Sequence, residues 1–144
     1  MVDQASHHRQ AETNALFLEH VKVADPPQKG WEFTVVFYEL VHHVEAVFAS
    51  RDPVKGHSQS HSDRFNRLHR DPAYSKIQPR FNSFFEASVI ARYLAFDKAG
   101  AGGYSCFEEY MQPEDEEQLL KKDLPNLRSI CAAMAKKANK RRTS

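Results

Sequence analysis

Residues 31–50, WEFTVVFYELVHHVEAVFAS, contain neither glycine nor proline. At about 100° per residue on a helix, Trp31, Val35, Tyr38, His42, Glu45 and Ala49 share one narrow stripe. Phe33, Val36, Phe37, Leu40, Val44, Val47 and Phe48 spread over the opposite side, which leaves only Glu32, Glu39, His43 and Ala46 for a wet strip. A helix that is apolar or aromatic around most of its circumference belongs at the centre of its domain. The richness in Val and Phe makes a strand the competing reading. The length of the segment and the helical order of its polar residues favour the helix.

The rest of the chain supplies helices to surround it. A length of 144 residues fits one domain with one modest core, and only 5 Gly and 7 Pro argue against a turn-rich all-β architecture. A first helix is expected over residues 4–24, with Leu16, Phe17, His20, Val21 and Val23 on its apolar side, closed by Asp25-Pro26-Pro27. A polar loop follows at 54–60 with Gly56 at its turn. Ser60 then reads as the N-cap of a short helix over 61–69, with Asp63 in the first turn. Asp71-Pro72 breaks that helix, and a long helix is expected over 79–97, with Phe81, Phe84, Phe85, Ser88, Ala91, Arg92 and Ala95 on one broad face. The AGAGG run at 99–103 reads as a linker. Last helices are expected over 104–110 and 114–137, the latter kinked or split at Pro125. Residues 1–10 read as a flexible N-terminus and 136–144 as a basic, fraying tail within the same single domain.

Composition excludes more than it assigns. A net charge of +1 with 27% charged residues makes no whole-chain case for nucleic-acid or membrane binding. No stretch of about 18 apolar residues occurs, so no membrane span is expected. The opening MVDQASHHRQ has no apolar signal core, and Cys106 and Cys131 lack metal-site spacing. Both features fit reduced thiols in a cytoplasmic protein.

Histidine, at 8 residues, is the unusual component. His42 and His43 sit on the central helix, and His57, His61 and His69 fall close together among Arg64, Arg67 and Arg70. Three readings of the cluster stand side by side. In the first, the histidines are structural, His42 donating to a carbonyl or to Glu45. In the second, His57 and His61, four apart, bind a metal with Glu45 or Asp63 as third ligand, without the H-E-x-x-H signature. In the third, Arg64 holds a phosphodiester while a histidine moves a proton near neutral pH, and the 2′-hydroxyl of RNA makes a metal unnecessary.

Two stretches carry a resemblance to the HEPN superfamily of helical domains. Residues 31–46, with an aromatic start, the Phe37-Tyr38 pair and a His before VEA, are similar to bacterial and archaeal members. The run from His57 through His61 and Arg64 to Asn66 resembles their H-x-x-S-H-x-x-R-N loop and helix, and Ala91-Arg92-Tyr93 resembles a late helix motif. The match covers residues 31–94. It implies an all-α fold, an antiparallel bundle of roughly four to six helices, often homodimeric. Many members cleave or bind RNA, and some are toxins with a cognate antitoxin. Their catalytic pattern is an Arg, four to six residues, then a His; Arg64 and His69 match it, and so do Arg51 and His57. Phe65 stands where active members carry a polar residue after the Arg, with Asn66 one step later.

The resulting expectation is an RNA-directed protein, a metal-independent endoribonuclease through Arg64, His69 and His61. Trp31, Tyr38, His42, Glu45, His57, Asn66, Arg92 and Tyr93 are assigned to binding. No cofactor or metal is assigned; the expected partners are RNA or a nucleotide, an antitoxin-like protein and a second copy of the chain, and no membrane. The alternatives are a non-catalytic nucleotide- or protein-binding module, and a metal-binding protein through His57 and His61.

Overall fold

A computed structural model describes residues 2–94 and 103–143 of the chain. The described residues are all-helical, with no strand among them. The elements are α1 (Gln4–Lys22), α2 (Lys29–Arg51), α3 (His61–Arg70), a 3-10 turn (Pro72–Tyr74), α4 (Gln78–Tyr93), α5 (Phe107–Tyr110), α6 (Pro113–Glu117), a π-helical turn (Gln118–Asp123) and α7 (Leu124–Thr143). No helix among the described residues is long and apolar enough to cross a membrane.

The central helix is where periodicity put it. Helix α2 is packed by α1, α4 and α7, and Phe33, Phe37, Leu40 and Phe48 on it are fully enclosed. Each such side chain stabilises the fold by about 1.5–3 kcal/mol relative to exposure. The strip expected to be wet is instead covered: Glu32, Glu39 and Ala46 are all buried and His43 is half-buried. Three partner helices cover most of α2 over its middle and leave Tyr38 exposed. The compensation for Glu39 comes from α7, whose Arg128 donates to both of its carboxylate oxygens at 2.6 and 2.7 Å.

Helix α1 presents a different face from the one its apolar residues indicated. Leu16, Phe17 and Val23 are exposed, as is His20, while His7, Ala11, Leu18 and Val21 point inward. The spacing 7, 11, 18, 21 is a proper helical stripe. Its first members are a His and an Ala, so a count of large apolar residues passes over it. Residues 1–10, expected to be flexible, are helical from Gln4, with Asp3 capping the Ser6 N–H at 2.8 Å.

The loop and cap chemistry follows the expected pattern. Gly56 takes a positive φ of 72°, which glycine adopts without steric cost. Ser60 Oγ accepts from the Asp63 N–H at 3.0 Å, and Asp63 Oδ2 accepts from the Gln59 N–H at 3.0 Å, a reciprocal cap for α3. Asp71 caps Ala73 N–H, with Pro72 starting the 3-10 turn. Helix α4 ends at Tyr93 in the described residues; the expected extension to 97 and most of the AGAGG run lie outside them.

Pro125 acts as anticipated, one turn earlier than its own position. It has no N–H to give to the carbonyl four residues back, and its ring crowds that carbonyl. The chain responds with the wider π turn at Gln118–Asp123, after which α7 runs on. Leu119, Leu124 and Leu127 stay buried across the change in pitch. Residues 136–143, expected to fray, continue the helix to Thr143. Ala and Lys favour helix there, and the final Lys140, Arg141 and Arg142 suit the negative end of the helix dipole.

Candidate functional site

The polar centre of the fold lies where α1, α2, the 52–60 loop and α3 meet. Glu45, buried on α2, accepts from Arg64 Nε at 2.8 Å through one oxygen and from the Ser58 N–H at 3.1 Å through the other. Both partners are buried, so the pair fixes the loop and α3 against α2. Burial pushes the Glu45 carboxyl up, but the bonds from Ser58 and the charge of Arg64 outweigh it and hold the group below its ordinary value. Arg67 secures the same loop from outside, donating to the Gly56 carbonyl at 2.9 Å with its guanidinium 4.0 Å above the Phe48 ring.

Three imidazoles gather around this pair. His7 of α1 is buried, with its Nδ1 3.1 Å from His42 Nδ1 and its ring stacked on that of His57 at 5.1 Å between centroids. Burial, and then the neighbouring His42, press the His7 pKa down to about 4. His42 is lowered too, by burial first and then by Arg64 and His57. Sequence reasoning singled out His42, Glu45, His57 and Arg64, which the structure brings together here. It missed His7, whose signal was a polar residue at the head of the α1 stripe that runs through Ala11, Leu18 and Val21.

The remaining residues divide between two further regions. His61 is exposed at the start of α3; its Nδ1 lies 2.9 Å from Arg64 Nη1, and its ring is 6.5 Å from that of Tyr38. As an arginine cannot accept, His61 Nδ1 is the acceptor and its Nε2 carries the hydrogen. Burial, Arg64 and Arg92 hold the His61 pKa below its ordinary value, so near neutral pH the ring is a neutral Nε2–H donor. Arg92, exposed at the end of α4, sits 5.3 Å from the centre of the Tyr93 ring and shares a shallow cleft with Trp31. Trp31, Tyr38 and Tyr93 are exposed aromatics, although Trp31 and Tyr38 were expected on an inward stripe. On that stripe Trp31 and Tyr38 are exposed, while Val35 between them and Glu45 beyond are buried.

Asn66 and His69 lie elsewhere. Asn66 lines a cleft with Asp63, Arg67 and Arg70, and His69 is exposed with its ring stacked on Phe65. Five residues along a helix is about 140° of rotation from Arg64. Buried Arg64 and exposed His69 therefore face different surroundings within one chain, and the partners of Arg64 are Glu45 and His61. The metal pairing of His57 with His61 is likewise not assembled: His57 groups with His7 and Glu45.

Comparison with protein-family models, with curated proteins and with solved structures found no match to this chain.

Proposed function

We propose that this chain is an RNA-directed, HEPN-like helical protein that holds single-stranded RNA or a nucleotide on the face carrying Tyr38, His61 and Arg92. The observation that supports this reading is the exposed grouping itself. The Tyr38 ring stands beside a neutral His61, His61 interacts with the Arg92 charge, and Trp31 and Tyr93 add aromatic surface near Arg92. Bases stack on exposed aromatic rings whatever their sequence, and an adjacent guanidinium takes a phosphate or adds a cation–π contact. His61 Nε2–H adds a donor for a base edge, a phosphate or a 2′-hydroxyl. With a net charge of only +1, affinity has to come from stacking more than from phosphate neutralisation.

Binding without cleavage is the form this geometry favours. A general base needs a free lone pair, and that of His61 Nδ1 is engaged by Arg64. The resemblance also carries antiparallel packing of the helices, a homodimer and an antitoxin-like partner as parts of the proposal; sedimentation of the pure protein tests the dimer.

The direct test is anisotropy of a labelled single-stranded RNA, with the same RNA followed on a gel in EDTA. The expected result is saturable binding, no cleavage, and roughly tenfold weaker affinity in Tyr38→Ala, the usual scale of one lost stack. Arg92→Ala should weaken binding and flatten its salt dependence. Absence of binding, or variants that bind like the parent, would overturn the proposal. Cleavage in EDTA that disappears in Arg64→Ala and His69→Ala would restore the endoribonuclease reading over the binding one.

A further inference from the structure

At the junction of α1, α2 and the 52–60 loop, a ring nitrogen of His7, a carboxylate oxygen of Glu45 and a ring nitrogen of His57 all lie within 4.8 Å of one another. The other bonds of these side chains indicate which atoms are free. His57 Nδ1 is 2.6 Å from the Ser58 carbonyl oxygen, so Nδ1 carries the hydrogen and Nε2 keeps its lone pair. His7 Nδ1 meets His42 Nδ1, while His7 Nε2 is buried with no hydrogen-bond partner among the described residues. A buried polar atom left unpaired is costly unless a water or an ion meets it. With His7 donating through Nδ1 to His42, its Nε2 presents a bare lone pair at the junction. Glu45 Oε1 accepts from Arg64 Nε and Oε2 from Ser58, and a carboxylate with about four lone-pair sites retains capacity for another partner.

We propose that His7, Glu45 and His57 are the three protein ligands of a site for a first-row divalent cation, zinc foremost, with His42, Ser58 and Arg64 orienting them. Two imidazoles and a carboxylate, with a fourth position open, is a zinc ligand set. Each ligand also has the outer partner that metal sites use to fix ring orientation: His42 on His7, the Ser58 carbonyl on His57, and Arg64 with the Ser58 N–H on Glu45. His57 is exposed and His7 and Glu45 are buried, so the site has one ligand at the surface. Ligand atoms around zinc stand about 3.3 Å apart, so the three side chains close by up to about 1.5 Å, a movement within reach of the exposed His57. The site uses none of Tyr38, His61 or Arg92 and does not rest on RNA binding.

The test uses the full chain, stripped with a chelator, dialysed against Zn(II) with elemental analysis, and titrated with Co(II) while its visible absorption is followed. The expected result is one cation per chain and a Co(II) spectrum of low coordination number. His57→Ala, at an exposed position that leaves folding intact, should weaken binding at least tenfold, while His20→Ala on exposed α1 surface leaves it unchanged. His7→Ala should abolish the Co(II) bands; if it does not fold, His57→Ala decides alone. Substoichiometric metal, a spectrum like that of aqueous Co(II), or equal losses in His57→Ala and His20→Ala would overturn the site. Tyr38→Ala should bind metal normally, so failure of RNA binding and failure of the metal site are separately visible.

Discussion

Glu39 and Arg128 form a two-pronged ion pair, Oε1 to Nη2 at 2.6 Å and Oε2 to Nε at 2.7 Å, that ties the middle of α2 to α7. Glu39 is fully enclosed while the Arg128 side chain is 38% exposed, so water shares in stabilising the guanidinium but not the carboxylate. Arg128→Ala should therefore cost about 2 kcal/mol, below the range for a wholly buried pair. Arg128→Lys should recover less than half, because a point charge cannot reproduce the fork. Urea denaturation of the three proteins measures both effects, and a Lys variant as stable as the parent would show that the fork is irrelevant.

The Glu45–Arg64 pair should be more costly to break, since both side chains are buried and the Ser58 N–H depends on the same carboxylate. Arg64→Met leaves Glu45 uncompensated and should destabilise by about 3–5 kcal/mol. Combining it with Glu45→Leu should return much of that loss, as removing both charges removes the desolvation cost as well. Amide exchange at residues 56–60 should accelerate in either single variant; unchanged protection there would separate the loop from the pair.

Stability should fall as pH drops from about 6.5 to about 4, the window between the ordinary histidine pKa and that of His7 in the fold. In that window the unfolded chain binds a proton at His7 and the folded chain does not, so lowering the pH favours unfolding. The full shift corresponds to roughly 3 kcal/mol. His42, lowered in the same direction by burial, adds to the slope. Glu39 and Glu45, held below their ordinary values in spite of burial, lose their share only at more acid pH. Chemical denaturation at intervals between pH 4 and 7.5 should show this slope and a flatter one for His7→Leu; parallel curves would contradict it.

Gly30→Ala should stabilise the protein. A Cβ built there meets the Ala91 Cβ at 3.6 Å, its carbonyl oxygen at 3.8 Å and the Phe107 ring at 3.8 Å, all ordinary contacts. Reduced freedom of the unfolded chain should then contribute about 0.5 kcal/mol. Thermal unfolding provides the readout, and a lower midpoint would mean that α4 and α5 cannot accept the methyl group.

How much of this was legible in the chain differs from helix to helix. The place of α2 was, because a residue run that is apolar around its circumference has no other way to escape water. So were the cap at Ser60, the break at Asp71-Pro72 and the disturbance at Pro125, which depend on bonds within a few residues. The nearness of Glu45 to Ser58 and Arg64 follows from the 52–60 loop that joins α2 directly to α3. The inward face of α1 could not be read, since His7 and Ala11 become interior only by lying against α2, while Leu16 and Phe17 find nothing to cover them. Nor could the burial of Glu39, whose partner Arg128 stands 89 positions away. Local sequence dictated helix, turn and cap through interactions a few bonds long. Which imidazoles and carboxylates share a pocket was decided by how helices distant in the chain pack, because burial and charge pairing depend on neighbours in space.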